Sequence, residues 1–114
     1  MSKREIGLLL EDILDSANKI STYTRDISYE QFISDSKTVD ATVRNFEIIG
    51  EASNRIPQDY KLTHPEIDWV GIIGFRNRII HEYFGINYQV LWDIKAEYIP
   101  DLIDWIETFI AEKP

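Results

Sequence analysis

The sequence predicts an all-α protein, an up-and-down bundle of four long helices plus one short helix. Apolar residues recur at spacings of three and four through each long segment, which is the period of a helix that buries one face. The alternation of apolar and polar residues that marks a half-buried strand is not sustained anywhere. No linker, repeat or low-complexity tract divides the chain, so residues 1–114 are predicted to form a single domain.

The first helix is predicted over residues 3–22, with an apolar stripe that begins at Ile6 and ends at Ile20. Beyond it, β-branched and polar residues indicate that the helix frays. Ser28 and Gln31 have the spacing of a capping box, which predicts a short helix over residues 29–34.

The third helix is predicted to begin at Thr38 and to end near Arg55, before Pro57. Residues 57–68 are predicted to be a polar connection without regular helix. Asp68 is a plausible N-cap for the fourth helix, which is predicted over residues 69–84.

The last segment, residues 88–112, has a helical pattern and follows Asn87, a plausible N-cap. Pro100 lies inside it. Proline kinks a helix from within but is tolerated in a first turn, so Pro100 either bends one helix or begins a second one.

Composition limits the classes of function. The net charge of −8 argues against a broad electrostatic grip on nucleic acid, so contact with RNA would need a local basic cleft or a basic partner. The absence of cysteine excludes disulfides, thiolate metal sites and a cysteine nucleophile, and fits a cytoplasmic protein. His64 and His81 lie far apart without ligand-like spacing, so neither a metal site nor a cofactor is predicted.

The fourth predicted helix breaks the binary pattern at Arg76, which lies on the apolar face. A cation there is costly unless it is paired or opens onto a cleft, and such breaks often mark functional sites. His81 follows in the last turn. Arginine can offer a planar fork to phosphate oxygens and imidazole moves protons near neutral pH, so these two are the candidate catalytic residues.

On an ideal helix, Arg76 and His81 point about 140° apart. They cannot easily grip one phosphate from a regular helix in one chain. Either the helix end unwinds, or the site forms where two copies of this helix meet in a two-fold dimer. The alternative is an ordinary surface arginine with a histidine at a helix end.

Three neighbouring residues are candidates beside this pair, Asn77 and Arg78 as supporting groups and Tyr83 as a target for modification. Tyr83 lies nearly in the direction of Arg76 and is either a core aromatic or a site hydroxyl open to modification. Asn77 lies beside the direction of His81 and can orient it or a phosphate. Arg78, on the His81 side, is more simply a solvated surface cation.

The third helix carries a pair of carboxylates one turn apart, Glu47 and Glu51, which could hold Arg76. A solvated acidic face is the commoner meaning of such a pair. Gly50 between them would let another helix approach closely. In a purely structural interpretation, Arg76 is tied to Glu47 or Glu51 inside the bundle and binds no ligand.

The segment from Arg76 through His81 to Tyr83 matches the Arg-x4-His-x-Tyr motif of HEPN ribonucleases, and the surrounding residues resemble the HepT-like branch. Four blocks of the chain look like blocks of that branch, in the same order: residues 10–14, 43–52, 64–67 and 81–85. The ordered set is far more specific than the short motif, and the resemblance covers nearly the whole chain.

The resemblance implies a helical homodimer with its site in a cleft at the dimer axis, and metal-independent endoribonuclease activity that serves as the toxin of a toxin–antitoxin system. The implied partner is an MntA-type nucleotidyltransferase antitoxin that transfers AMP to the motif tyrosine. Carried onto this chain, Arg76 and His81 are catalytic, Asn77 supports them and Tyr83 accepts AMP. The alternative is a non-catalytic HEPN dimer that binds the nucleotidyltransferase or a nucleotide.

Overall fold

The computed structural model describes residues 1–81 and 85–112, and all of the regular structure in these two ranges is helical. The helices are α1 (Lys3–Thr24), α2 (Tyr29–Ser34), α3 (Ser36–Arg55), α4 (Gln58–Thr63), α5 (Trp69–His81), α6 (Tyr88–Glu97) and α7 (Ile99–Ala111). The predicted all-α fold is confirmed. None of the described helices is both long enough and apolar enough to cross a membrane.

The core lies around α1, which packs between α3 and α7. Its apolar stripe is buried from Ile6 to Ile20, as the spacing of apolar residues predicts. Helix α5 packs on α3. It therefore lies at the edge of the bundle, where it buries one side and leaves its other side uncovered.

The sequence predicts the start of α2 correctly but misplaces the start of α3. The capping box of α2 is present, with Ser28 and Gln31 each bonding the backbone of the other. The third helix begins at Ser36, so Thr38 as its first residue is wrong. Asp35 is the N-cap, because its carboxylate accepts a bond from the Thr38 hydroxyl at 2.7 Å and from the Thr38 backbone N–H.

Helix α1 also runs two residues further than predicted, to Thr24. The Thr24 hydroxyl is buried and donates to the carbonyl of Ile20 at 2.7 Å, so the side chain is satisfied within the helix. A β-branched polar residue that looks like a fraying end is therefore part of the last turn.

The segment predicted as a polar connection contains a helix, α4, which begins after Pro57. Its one large apolar contact is Tyr60, which is buried against Phe109 of α7. A single buried aromatic residue makes no periodic stripe, so the pattern does not reveal the helix.

Pro100 starts a helix and does not kink one. Helix α6 ends at Glu97, the Tyr98 N–H bonds the Ile94 carbonyl at 2.8 Å, and Pro100 occupies the first turn of α7. Asn87 caps α6, as predicted, by accepting from two backbone N–H groups. The bundle thus has more helices than the predicted four long and one short.

Candidate active site

Helix α5 is held against α3 by its apolar side. Trp69 and Ile79 are buried, and Phe75 meets Phe46 of α3 edge-on with ring centroids 5.5 Å apart. At the start of α5, the Asp68 carboxylate accepts from the Gly71 N–H at 2.9 Å, which makes it the predicted cap. This packing directs Arg76 at α3.

The backbones of α3 and α5 come close together at Gly50. A Cβ built there would overlap Cβ of Arg76 and lie 2.6 Å from its Cγ. The absence of a side chain at Gly50 is therefore what lets the stem of Arg76 lie across α3. Close helix approach at this glycine was predicted from the sequence and is confirmed.

The guanidinium of Arg76 has two protein partners. Its Nη2 makes an ion pair with Oε2 of Glu51, and its Nη1 donates to Oδ1 of Asn77 at 2.8 Å. The Arg76 side chain keeps 23% of its surface exposed, and that of Glu51 keeps 52%. The cation is thus paired, as its place on the apolar face requires, but it remains accessible to a ligand from solvent.

Glu47 does not pair with Arg76. It forms an ion pair with Arg44 at 3.6 Å, one turn earlier on the same helix. Of the two carboxylates considered for Arg76, Glu51 is the one in contact.

His81 is exposed at the end of α5. On a regular helix it points about 140° away from Arg76, with Asn77 between the two directions. The structure thus joins Arg76 to Asn77 and Glu51, whereas His81 lies on the uncovered side of α5. Arg78 is also exposed, and Tyr83 lies outside the described residues.

Arg76 opens onto a groove of about 280 Å³ between α1, α3 and α5. Its lining combines aliphatic side chains with arginines and carboxylates, namely Leu9, Asp12, Arg44, Glu47, Ile48, Glu51, Ala52, Arg55, Arg76 and Ile80. We call this the arginine groove. Arg44, Arg55 and Asp12 were not among the predicted site residues. The sequence pattern that could have identified Arg44 and Arg55 is the helical stripe that they share with Glu47 and Glu51.

A second cavity, of about 390 Å³, is mainly apolar and lies between α3, α5, α6 and α7. It holds none of the predicted site residues. Its polar lining residues are Asp68, Glu97 and Tyr98, and the Tyr98 hydroxyl accepts from the Asp68 N–H at 2.9 Å. Burial raises the pKa of Tyr98 above its ordinary value.

His64 has a structural environment. Its ring stacks on Tyr60, with centroids 3.9 Å apart. Nδ1 lies 2.9 Å from the Tyr60 carbonyl and Nε2 lies 3.2 Å from Oε1 of Glu112. These contacts join the end of α4 to the end of α7, and none of them involves a residue that lines the arginine groove.

The chemistry available around Arg76 is that of phosphate binding. A guanidinium held by a carboxylate and an amide is pre-oriented, and its exposed edge can meet phosphate oxygens. An exposed histidine on the same helix, His81, adds an imidazole that can donate or accept a proton. Among the described residues, no group of three or more His, Asp or Glu side chains is arranged to hold a metal ion.

The family model and the relatives that match this chain indicate the same protein family. Residues 13–109 match the family model described as "Ribonuclease HepT-like". The protein named "Probable ribonuclease HepT" from Thermococcus cleftensis is 47% identical over 88% of this chain and 91% of its own. One Methanocaldococcus jannaschii protein named "Putative RNase" is 43% identical over 94% of this chain and 98% of its own. Another with that name is 38% identical over 98% of this chain and 93% of its own.

No solved structure matches the chain. The family match spans most of the sequence and agrees with the all-helical fold, and the relatives are covered over nearly their full lengths. This chain belongs to the HepT-like ribonuclease family.

Proposed function

We propose that this protein is a metal-independent endoribonuclease in which Arg76 and His81 act on the RNA backbone. The observation that carries the proposal is the guanidinium of Arg76, which is held by Glu51 and Asn77 at the edge of a groove in a chain of a ribonuclease family. Arginine and histidine supply the charge stabilisation and the proton transfer that phosphodiester cleavage by the ribose 2′-hydroxyl requires.

In the proposed reaction, the 2′-oxygen bonds to phosphorus while the bond from phosphorus to the 5′-oxygen breaks. The 2′-hydroxyl loses its proton and the leaving 5′-oxygen gains one. His81 transfers one of these protons and water exchanges the other, while Arg76 stabilises the negative charge that builds up on the phosphorane. The products are a 2′,3′-cyclic phosphate end and a 5′-hydroxyl end.

The site is proposed to be shared by two subunits. In one chain His81 lies on the uncovered side of α5, on the same stripe as Val70, Gly74 and Asn77. Val70 is 83% exposed. A second copy packed on this stripe about a two-fold axis would cover it and bring His81 of one subunit towards Asn77 of the other, whose amide oxygen accepts from Nη1 of Arg76.

Regulation is proposed to follow the toxin–antitoxin scheme that the resemblance implies. A partner nucleotidyltransferase of the MntA type transfers AMP to Tyr83, which lies two residues beyond His81 and outside the described residues. The modification adds bulk and negative charge near the motif, which can occupy the place that substrate phosphate needs. This scheme places the protein in the cytoplasm with its partner.

The alternative is a non-catalytic dimer that binds the nucleotidyltransferase or a nucleotide. It is favoured by one observation: both Nη groups of Arg76 already have protein partners. In that case Arg76 stabilises the packing of α5 on α3, or binds a phosphate group without catalysing cleavage.

The deciding experiment is cleavage of defined RNAs in the presence of a chelator, with parent, His81→Ala and Arg76→Ala side by side. Because His81 is exposed, its removal should leave the fold intact, as circular dichroism will check. We expect the parent alone to cut and to leave cyclic phosphate ends, with losses of at least about 100-fold in the variants. Intact mass separates an AMP-silenced parent from an inactive one. Equal cleavage by parent and His81→Ala would remove the assigned role of His81, and an unmodified, inactive parent would favour the binding module.

A further inference from the structure

The floor of the arginine groove is a single stripe of α3. Arg44, Glu47, Ile48, Glu51 and Arg55 all line the groove and recur at helical spacing. On an ideal helix Arg44 and Arg55 point within about 20° of each other and lie roughly 16 Å apart along the axis. The stripe therefore carries a cation at each end and carboxylates between them.

The cations at the two ends are more available than Arg76 in the middle. Arg44 meets Glu47 only at 3.6 Å, and 69% of its side chain is exposed. Arg55 is exposed, and among the described residues it has no ion-pair partner. Arg76 reaches the same stripe from α5, at Glu51. Three guanidinium groups thus face one groove, with Arg76 between the other two.

The charge of this groove differs from that of the molecule. The chain has 12 Lys and Arg against 20 Asp and Glu. The arginine groove has three arginines against three acids, Asp12, Glu47 and Glu51. It is locally neutral on an acidic protein, so a polyanion is repelled less here than the net charge suggests. Aliphatic walls from Leu9 and Ile80 offer apolar contact to ribose and base.

We propose that the arginine groove is the track of the RNA strand, and that Arg44 and Arg55 bind backbone phosphates on either side of the phosphate held by Arg76. This inference rests on the proposed ribonuclease function. It assigns substrate binding to two residues outside the Arg-x4-His-x-Tyr motif. Each guanidinium can contact phosphate oxygens through a fork of N–H donors, and the separation of Arg44 and Arg55 suits a few nucleotides of single strand.

The test uses binding of a short, fluorescein-labelled, single-stranded oligouridine RNA to the His81→Ala protein, which does not cut it. Fluorescence anisotropy is measured over a series of NaCl concentrations, without and with Arg55→Ala, Arg44→Ala or both. The matched control is Arg25→Ala, which removes the same charge from an exposed arginine just beyond the end of α1 and outside the groove.

Each lost phosphate contact should reduce the slope of log K against log salt by about 0.7 for a single strand. We expect Arg55→Ala to do so and to weaken binding about three- to tenfold at low salt, with the two substitutions adding. Arg25→Ala should leave the slope unchanged. In the cutting protein, Arg55→Ala should lower kcat/KM by the same factor as binding.

The outcomes separate the two proposals. If the parent cuts RNA but Arg55→Ala and Arg44→Ala behave like Arg25→Ala, RNA does not bind along the arginine groove, whereas the ribonuclease proposal is unaffected. If a parent that carries no AMP by intact mass neither cuts nor binds RNA, both proposals fall. If the groove variants still bind RNA but no longer bind the nucleotidyltransferase, the groove is a protein interface and the proposed RNA binding in it is wrong.

Discussion

Arg76 is a cation with both of its terminal nitrogens already in use, one on Glu51 and one on Asn77. A substrate phosphate must either share the guanidinium with these groups or displace one of them. An ion pair as exposed as that of Arg76 and Glu51 contributes about 1 kcal/mol or less. Displacing Glu51 would therefore cost little free energy, and in the proposed reaction Glu51 would be a weak competitor of the phosphate that also holds Arg76 in place.

This competition predicts the behaviour of Glu51→Gln. The amide oxygen can still accept from Nη2, so the orientation of Arg76 is kept, but the negative charge beside it is gone. We expect KM for RNA to fall by up to about fivefold, the equivalent of 1 kcal/mol, with kcat changed by less than about twofold. Steady-state cleavage with a chelator measures both constants.

The control for Glu51→Gln is Glu30→Gln on α2, which changes the net charge equally at an exposed position away from the groove. If kcat falls strongly while KM stays constant, Glu51 instead positions Arg76 for the chemical step, and the competition is refuted.

At this scale the sequence identifies Arg76, because a cation on an apolar face stands out from the pattern. It narrows the partner to Glu47 or Glu51 but cannot choose, since both lie on the same side of α3 and the choice depends on the rotation of α5. Arg55 is not singled out, because a basic residue in the last turn of a helix has an ordinary explanation in the helix dipole.

Among the elements, the pair formed by α3 and α5 matters most for the site. Gly50 sets the distance between them, and Arg76 crosses α3 at this point. A methyl group at Gly50 cannot be accommodated by rotating a flexible side-chain end, because the atoms it meets are the first two carbons of Arg76.

We therefore expect Gly50→Ala to lower the free energy of unfolding by about 1–3 kcal/mol, as in overpacked cores, and to reduce RNA cleavage by displacing Arg76. Urea denaturation and the chelator assay measure the two effects. The matched control is Gly7→Ala in α1, where an added Cβ meets nothing within 4 Å. There alanine should raise stability by up to about 1 kcal/mol. A stable, active Gly50→Ala protein would contradict the close approach.

Element boundaries follow from the sequence where a side chain caps a helix through its own characteristic spacing, as Ser28 and Asn87 do. A boundary is misplaced when two neighbouring residues are both able to cap the helix. Asp35 and Thr38 are both good caps, and only the structure shows that Thr38 donates its hydroxyl to Asp35. Helix α4 is hidden because Tyr60 alone ties it to the core.

For the whole molecule, the position of α5 at the edge of the bundle leaves the Val70–His81 stripe uncovered in a single chain. The all-α class and the order of the long helices could be predicted from periodicity. Which helices become neighbours could not, because several apolar faces of similar width can pair. The proposed second copy packs on this uncovered stripe, and a site shared between two subunits can be tested by mixing variants.

Mixing two inactive proteins tests the shared site. Arg76→Ala retains His81, and His81→Ala retains Arg76. If each site takes one residue from each subunit, a mixed dimer has one intact site, and random exchange should restore roughly a quarter of the parent activity. The measurement is RNA cleavage by an equimolar mixture after subunit exchange, with each variant alone as control. No recovery from a mixture shown by native mass spectrometry to contain mixed dimers would place both residues in one chain.

The overlap between position 50 and the stem of Arg76 also has a genetic consequence. Any residue other than glycine at position 50 meets Cβ of position 76, a carbon that every amino acid except glycine has there. At codon 76, the only change that removes the clashing carbon is a change to glycine, which also deletes the guanidinium. In a selection for restored activity, Gly50→Ala should yield revertants at its own codon, and intragenic suppressors at codon 76 should never be recovered.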